Sequence, residues 1–188
     1  LEAILVAVDP GMGIKNLSKC LAEAEPEAFI GNAKANIARV VLGWSKSTVN
    51  KTVLVGKAPV LGSIMTSLDK IKSLGQNINR ESKRTKPTDM AAILFTSGST
   101  GIPKGAVYTH ANFTAQVEEL KKLYDIRPGE IDLATFPLFA LFGPALGMTS
   151  IVPIMDFTKP GSVDPQRSID GVNQYKCTNM FGSPALLN

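Results

Sequence analysis

The stretch Ile93-Leu94-Phe95-Thr96-Ser97-Gly98-Ser99-Thr100-Gly101-Ile102-Pro103-Lys104-Gly105 constrains this chain more than any other. An apolar, β-prone run feeds a loop of hydroxyls and glycines that ends on one lysine. Glycine accepts positive φ and leaves no side chain between backbone N–H groups and a ligand. Thr96, Ser97, Ser99 and Thr100 add hydroxyl donors, and Lys104 adds a positive charge. Such a set of donors suits the oxygens of a polyphosphate. It is not a Walker A loop, which needs Gly directly before the Lys and Ser or Thr directly after it. Pro103 and Gly105 occupy those places here. The plainer reading is a Ser/Gly/Thr linker between two strands.

Taken in order, residues 3–8 read as a fully buried strand, ended by a turn at Asp9-Pro10-Gly11-Met12-Gly13. The pair Gly11-x-Gly13 lacks the third glycine of a dinucleotide fingerprint, because Asn16 stands there. Asn16 or Ser18 caps a helix through Ala24, with Leu17, Cys20, Leu21 and Ala24 on one face. A strand at Ala28-Phe29-Ile30, a helix over 33–42 stopped by Gly43, and a strand at 52–55 follow. This rhythm predicts βαβ units and a parallel sheet. Residues 61–74 are ambiguous, apolar first and amphipathic later. The polar stretch 75–89 reads as an exposed connection and the candidate subdomain boundary.

Beyond it, 91–95 and 106–108 flank the loop as strands, and 110–124 is a helix with Phe113, Val117, Leu120 and Tyr124 on one face. The sole histidine, His110, opens that helix with no visible catalytic partner, which favours a hydrogen-bonding role. A strand at 131–135, a short helix from Pro144, a strand at 150–152, a helix capped by Asp164 and a strand at 178–181 complete the pattern. Residues 133–155 carry no charge. Pro137, Pro144 and Pro153 argue against a membrane span there, since an interior proline costs about 3 kcal/mol in a helix. The expectation is an α/β fold, mainly parallel, with flanking helices and no transmembrane segment.

Composition excludes little more. The net charge of +4 comes largely from Arg80, Lys83, Arg84 and Lys86, a cluster that reads as a solvated linker and not a nucleic-acid patch. Cys20 and Cys177 show no metal or redox spacing and suggest a cytoplasmic setting. The chain opens without Met inside a strand-like run and stops where Pro184 starts a helix, so a partial domain is expected.

Thr96-Ser97-Gly98-Ser99-Thr100-Gly101-x-Pro103-Lys104-Gly105, continued by Tyr108-Thr109-His110-x-Asn112, resembles the signature loop of the adenylate-forming enzymes. That resemblance implies an incomplete N-terminal AMP-binding domain over 1–188, with ATP and Mg²⁺ as cofactors. It implies phosphate binding by Thr96, Ser97, Gly98, Ser99, Thr100, Gly101 and Lys104, with Lys104 catalytic. The family's later Gly-x-Thr-Glu motif, ribose-binding Asp, hinge and C-terminal Lys find no match, so no metal ligand or adenine pocket is assigned. The chain alone is therefore expected to be inactive.

Further stretches are similar to the β-lactone-forming branch of bacterial long-chain olefin biosynthesis. They include Asp9–Gly13, Ala24–Gly31, Leu42-Gly43-Trp44, Phe136–Phe142 and Thr178–Ala185. Where acyl-CoA synthetases commonly have His after Pro-Leu-Phe, this chain has Ala140. Ala fits a bulkier, β-branched acyl group, and Phe139 and Phe142 either line an alkyl channel or fill the core. The branch implies activation of a 2-alkyl-3-hydroxy acid followed by lactone closure, with pathway enzymes as partners. The alternatives are an acyl-CoA ligase that uses CoA and a non-catalytic ATP-binding module.

Overall fold

A computed structural model describes residues 3–58, 62, 64–76, 78, 84–96, 103–136, 139–157 and 159–187, with the backbone alone at Pro10 and Phe139. The chain divides into two compact units, Leu1–His110 and Ala111–Asn188. The division falls after His110, and the 75–89 stretch lies inside the first unit.

The first unit holds two three-stranded sheets. One joins β1 (Leu5–Ala7), β5 (Met90–Thr96) and β6 (Lys104–Thr109) in the order β1-β5-β6. The other joins β2 (Ala28–Gly31), β3 (Lys51–Leu54) and β4 (Thr66–Ser67). Among the described residues, helices α1 (Ile14–Ala24), α2 (Ala33–Val41) and α3 (Leu68–Gly75) connect the strands. The β2-α2-β3 unit is parallel as expected, with Ala28 opposite Lys51. β1 departs from the single-sheet expectation, since it pairs in parallel with β5, Leu5 opposite Ala92. Periodicity marks a strand but not its partner, and another apolar run competes successfully for it. As a sheet edge, β1 is also less buried than its apolar run predicts, with Leu5 48% exposed.

Helix starts show where local chemistry decides. Asn32 caps α2, its side chain accepting from the Ala35 N–H at 2.9 Å. α1 begins earlier than expected, at Ile14, with Gly13 at φ 83° in the cap position and no side-chain cap. Asn16 sits inside the first turn and donates to the Met12 carbonyl at 3.1 Å. Asn36 is fully buried and its amide donates to the carbonyls of Gly31 (2.7 Å), Asn32 (3.1 Å) and Val53 (3.4 Å). One side chain thereby ties α2 to both β2 and β3.

In the second unit α4 (His110–Tyr124, its first residue shared with the division) leads to β7 (Ile131–Ala134), α5 (Phe139–Leu146) and β8 (Thr149–Ile151). α6 (Pro165–Tyr175), β9 (Asn179–Phe181) and α7 (Pro184–Leu187) follow. The sheet order is β8-β7-β9 with both pairs parallel. The central β7 is the most buried strand here, with Leu133 and Ala134 at 0% exposure. This buried strand and α5 account for much of the uncharged run, and no helix among the described residues is long and apolar enough to cross a membrane.

α5 starts at Phe139, ahead of the expected Pro144, which lies inside it. Proline's fixed φ suits a helix, and in so short a helix its missing N–H removes a single hydrogen bond. Gly143 lets α5 cross β8 closely, since a Cβ there would clash with Ser150 Oγ. α6 is capped as expected, the Gln166 N–H donating to Asp164 Oδ1 at 3.1 Å.

Two carboxylates of this unit feel opposite environments. Glu130 accepts from the Arg127 N–H at 2.6 Å and from the side chains of Thr178 and Asn179, joining the starts of β7 and β9. The Arg127 N–H first, and the Asn179 amide second, hold its carboxyl below the usual range. Asp132, two residues further on and within β7, is pushed up by burial, partly offset by a hydrogen bond from the Phe181 backbone. The Thr135 hydroxyl donates to the Phe181 carbonyl, so this backbone is held from two sides.

Asn36→Ala should destabilise the protein by about 2 kcal/mol in urea titrations, because buried carbonyls lose their donor. The carboxylates give two further expectations. Glu130, with its folded pKa lowered, contributes stability above its unfolded pKa that is lost as pH falls through the folded value. Glu130→Gln should flatten that acid limb of a plot of Tm against pH. Asp132, with its folded pKa raised, weakens the fold as pH rises from its unfolded value through its folded one. Asp132→Asn should remove that decline.

Candidate phosphate-loop site

β5 carries the apolar run of the sequence between two partners, β1 on one side and β6 on the other. Phe95 and Ala92 are buried, which anchors the strand that delivers the chain to the loop. β5 and β6 run antiparallel, with Thr96 opposite Lys104, Phe95 opposite Gly105 and Ile93 opposite Val107. Thr96 and Lys104 therefore face each other at the mouth of a hairpin, both exposed, while Pro103 directly before Lys104 is buried. Of the seven expected phosphate-binding residues the structure brings these two together. Ser97, Gly98, Ser99, Thr100 and Gly101 lie outside the described residues.

The base of the hairpin is closed by backbone. The His110 N–H donates to the Asp89 carbonyl at 3.1 Å, and the Lys86 N–H to Asp89 Oδ2 at 2.8 Å. A register shift between Met90 and Ala92 lies beside that closure. Tyr108, Thr109 and His110 are half-buried along β6 and into α4.

Because β1 and β5 are parallel, the end of β1 points the same way as the end of β5. The Asp9–Gly13 turn thus leaves the same end of the sheet as the hairpin mouth. It is built by the Gly11 N–H donating to Asp9 Oδ1 at 2.8 Å and the Met12 N–H to the Asp9 carbonyl at 3.1 Å. Ligands of open α/β sheets commonly sit outside the carboxyl ends of strands. Read locally, this turn only ends a strand, since nothing within it reveals that β1 lies beside β5.

The proposed acyl residues belong to the second unit. Ala140 and Phe142 are half-buried on α5, and the Phe142 ring centre lies 5.9 Å from that of Phe113, tilted by 53°. Phe139 opens the helix. Two open clefts of about 540 and 500 Å³ occur elsewhere, near Leu21, Glu25 and Lys46 and near Arg39, Leu42 and Lys46. Among the described residues, neither is lined by Thr96 or Lys104, and the chemistry of the hairpin mouth outweighs their volume. Among the described residues no group of three or more His, Cys, Asp or Glu is placed to hold a metal ion.

Comparison with known proteins gives this geometry a family. The profile of the AMP-binding enzyme family matches residues 1–188. The chain is similar to an olefin β-lactone synthetase of Xanthomonas campestris pv. campestris, 45% identical over 98% of this chain and 33% of the relative. It is similar also to an olefin β-lactone synthetase of Stenotrophomonas maltophilia, 47% identical over 100% of this chain and 33% of the relative. The chain thus spans about a third of the length of these curated relatives. Its fold is similar to that of a long-chain-fatty-acid-CoA ligase from Archaeoglobus fulgidus, with a TM-score of 0.76 over 97% of this chain and 35% of that one, at 22% identity. The chain belongs to the AMP-binding family of adenylate-forming enzymes.

Proposed function

We propose that the protein carrying this chain activates a long-chain 2-alkyl-3-hydroxy acid with ATP and closes it to a β-lactone. The observation that carries this reading is 45–47% identity to two olefin β-lactone synthetases along nearly the whole chain. The opposition of Thr96 and Lys104 at the hairpin mouth supports an anion site in the expected place.

A carboxylate is a poor electrophile because oxide would have to leave. One carboxylate oxygen bonds to the α-phosphorus of ATP, and the bond to pyrophosphate breaks. The acid then carries AMP as its leaving group. Two anions must approach, so positive charge and fixed donors at the pyrophosphate lower the barrier. In this reading Lys104 neutralises charge, while Thr96, Ser97, Ser99 and Thr100 supply hydroxyls and Gly98 and Gly101 open the backbone. A hydrogen bond to a charged group contributes roughly 1.5–3 kcal/mol. The 3-hydroxyl oxygen next bonds to the acyl carbon, its proton is released, and AMP leaves. Nucleophile and electrophile share one skeleton, which removes the bimolecular entropy cost. The described residues hold no group of three or more His, Cys, Asp or Glu placed for a metal ion, and Mg²⁺ is commonly held by only one or two carboxylates together with substrate phosphates. Mg²⁺ is assigned to the substrate, as the counter-ion that arrives with ATP.

Phe139, Ala140 and Phe142 are proposed to border the acyl chain. α5 begins just past the carboxyl end of β7, which has β8 on one side and β9 on the other. Crevices of open α/β sheets form at such places. The free thiols Cys20 and Cys177 support a cytoplasmic location, with the other enzymes of the pathway as partners.

Given ATP, Mg²⁺ and a 2-alkyl-3-hydroxy fatty acid, the full-length protein should release AMP and a β-lactone at a rate independent of CoA. Mass spectrometry of products with and without CoA checks this. An acyl-CoA formed efficiently from simple fatty acids, with no lactone from the hydroxy acid, would favour a ligase, and nucleotide binding without turnover would favour a non-catalytic module. Lys104→Ala should slow pyrophosphate exchange by about ten- to a hundredfold, each factor of ten corresponding to roughly 1.4 kcal/mol. The 188 residues alone, a third of the relatives' length, should leave pyrophosphate exchange at background.

A further inference from the structure

The hairpin that carries Lys104 is closed on one face by a contact with no spare room. Gly105 pairs with Phe95 across the two strands. A Cβ built on Gly105 would lie 3.1 Å from Ile93 Cγ2 and 3.1 Å from both Cε1 and Cζ of Phe95. Phe95 is buried, and Ile93 is β-branched and stiff about χ1. Neither neighbour swings away freely. Backbone conformation is not the reason for this glycine, because Gly105 is not among the residues with positive φ. Space is. A side chain here has to push β6 away from β5 by a few tenths of an ångström or turn the Phe95 ring out of its packing. The residue displaced first is Lys104, the immediate neighbour.

We propose that Gly105 is a positioning residue, whose absent side chain lets β6 close on Phe95 and Ile93 and so holds Lys104 across from Thr96 for anion binding. Side chains alternate along a strand, so Gly105 gives its face to Ile93 and Phe95 and leaves the other face to Lys104. The catalytic part of this inference rests on the adenylation reading, while its binding part stands on the hairpin alone. A misplacement of about 1 Å can cost on the order of a hundredfold in rate.

The test uses the full-length protein and two readouts. One is pyrophosphate exchange into ATP with the hydroxy acid. The other is protection of Lys104 from acetic anhydride by inorganic pyrophosphate, read by mass spectrometry. Gly105→Ala should lower exchange about tenfold or more and abolish most of the protection. Phe95→Leu removes the ring edge, so adding it to Gly105→Ala should bring both readouts back to within about threefold of Phe95→Leu alone. Lys104→Ala should cost clearly less exchange in the Gly105→Ala background than in the parent, because the two act through one group.

If Gly105→Ala fails to fold, the pair Gly105→Ala/Phe95→Leu should fold and protect Lys104. Loss that persists in a folded pair would mean that the Gly105 backbone itself meets the anion, and the proposal falls. It falls equally if the Lys104 and Gly105 factors multiply in full, if Gly105→Ala is silent, if the pair fails to fold while Phe95→Leu folds, or if pyrophosphate does not protect Lys104 in the parent. No exchange in the parent, with protection of Lys104 intact, would strike the adenylation reading alone. The protection series would still decide the role of Gly105.

Discussion

The close approach of β5 and β6 is the constraint on which the candidate site depends. A flat contact between Gly105 and the side chains of Phe95 and Ile93 fixes the separation of the strands. The ladder fixes their register, so Thr96 meets Lys104. A one-residue slip would turn every side chain of β6 to the other face and remove the lysine from its place. Burial of Phe95 and Ala92 resists that slip, because it ties β5 to one orientation. Charge at the mouth of the hairpin is thus held in place by apolar contacts behind it.

The second unit is organised by a different economy of polar groups. Its central strand places one carboxylate, Asp132, where burial opposes its charge, and the residue just before that strand, Glu130, sits where donors favour its charge. Glu130 joins two strand beginnings, while Asp132 and Thr135 hold the Phe181 backbone at the end of β9. Parallel strands lack hairpin turns to set their ends, and these side chains do that work here. Asn36 performs the same service for α2, β2 and β3 in the first unit.

Much of this was readable from the residues. Helix α4 follows from its apolar spacing, α6 from Asp164 and Pro165, and the two strands beside the loop from the run before Thr96 and the residues after Lys104. Each depends on information held within a few positions. What escaped depends on distant partners. The apolar run at β1 gives no hint that it joins β5 and not β2, nor that Ile4 and Leu5 stay exposed. Pro144 looks like the start of α5 in the sequence, although a short helix tolerates the one bond that proline removes. Asn36 looks like an ordinary helix residue until β3 brings the Val53 carbonyl to it. The hydroxyls and glycines between Thr96 and Lys104 were legible as chemistry, and the ladder adds where that chemistry begins and ends.

The two parallel and antiparallel neighbours of β5 differ in how far the chain must travel to make them. The ladder to β6 turns back between residues 96 and 104, whereas the ladder to β1 joins residue 5 to residue 92. Closing the longer loop costs more chain entropy, although only logarithmically so, and long-range pairings tend to form later. The lysine and the strand beneath it therefore belong to a unit that assembles locally and early. The Asp9–Gly13 turn reaches the same end of the sheet only when the remote β1 has docked. A site framed by both would be completed in two kinetic stages, with its cationic half in place before the other side arrives.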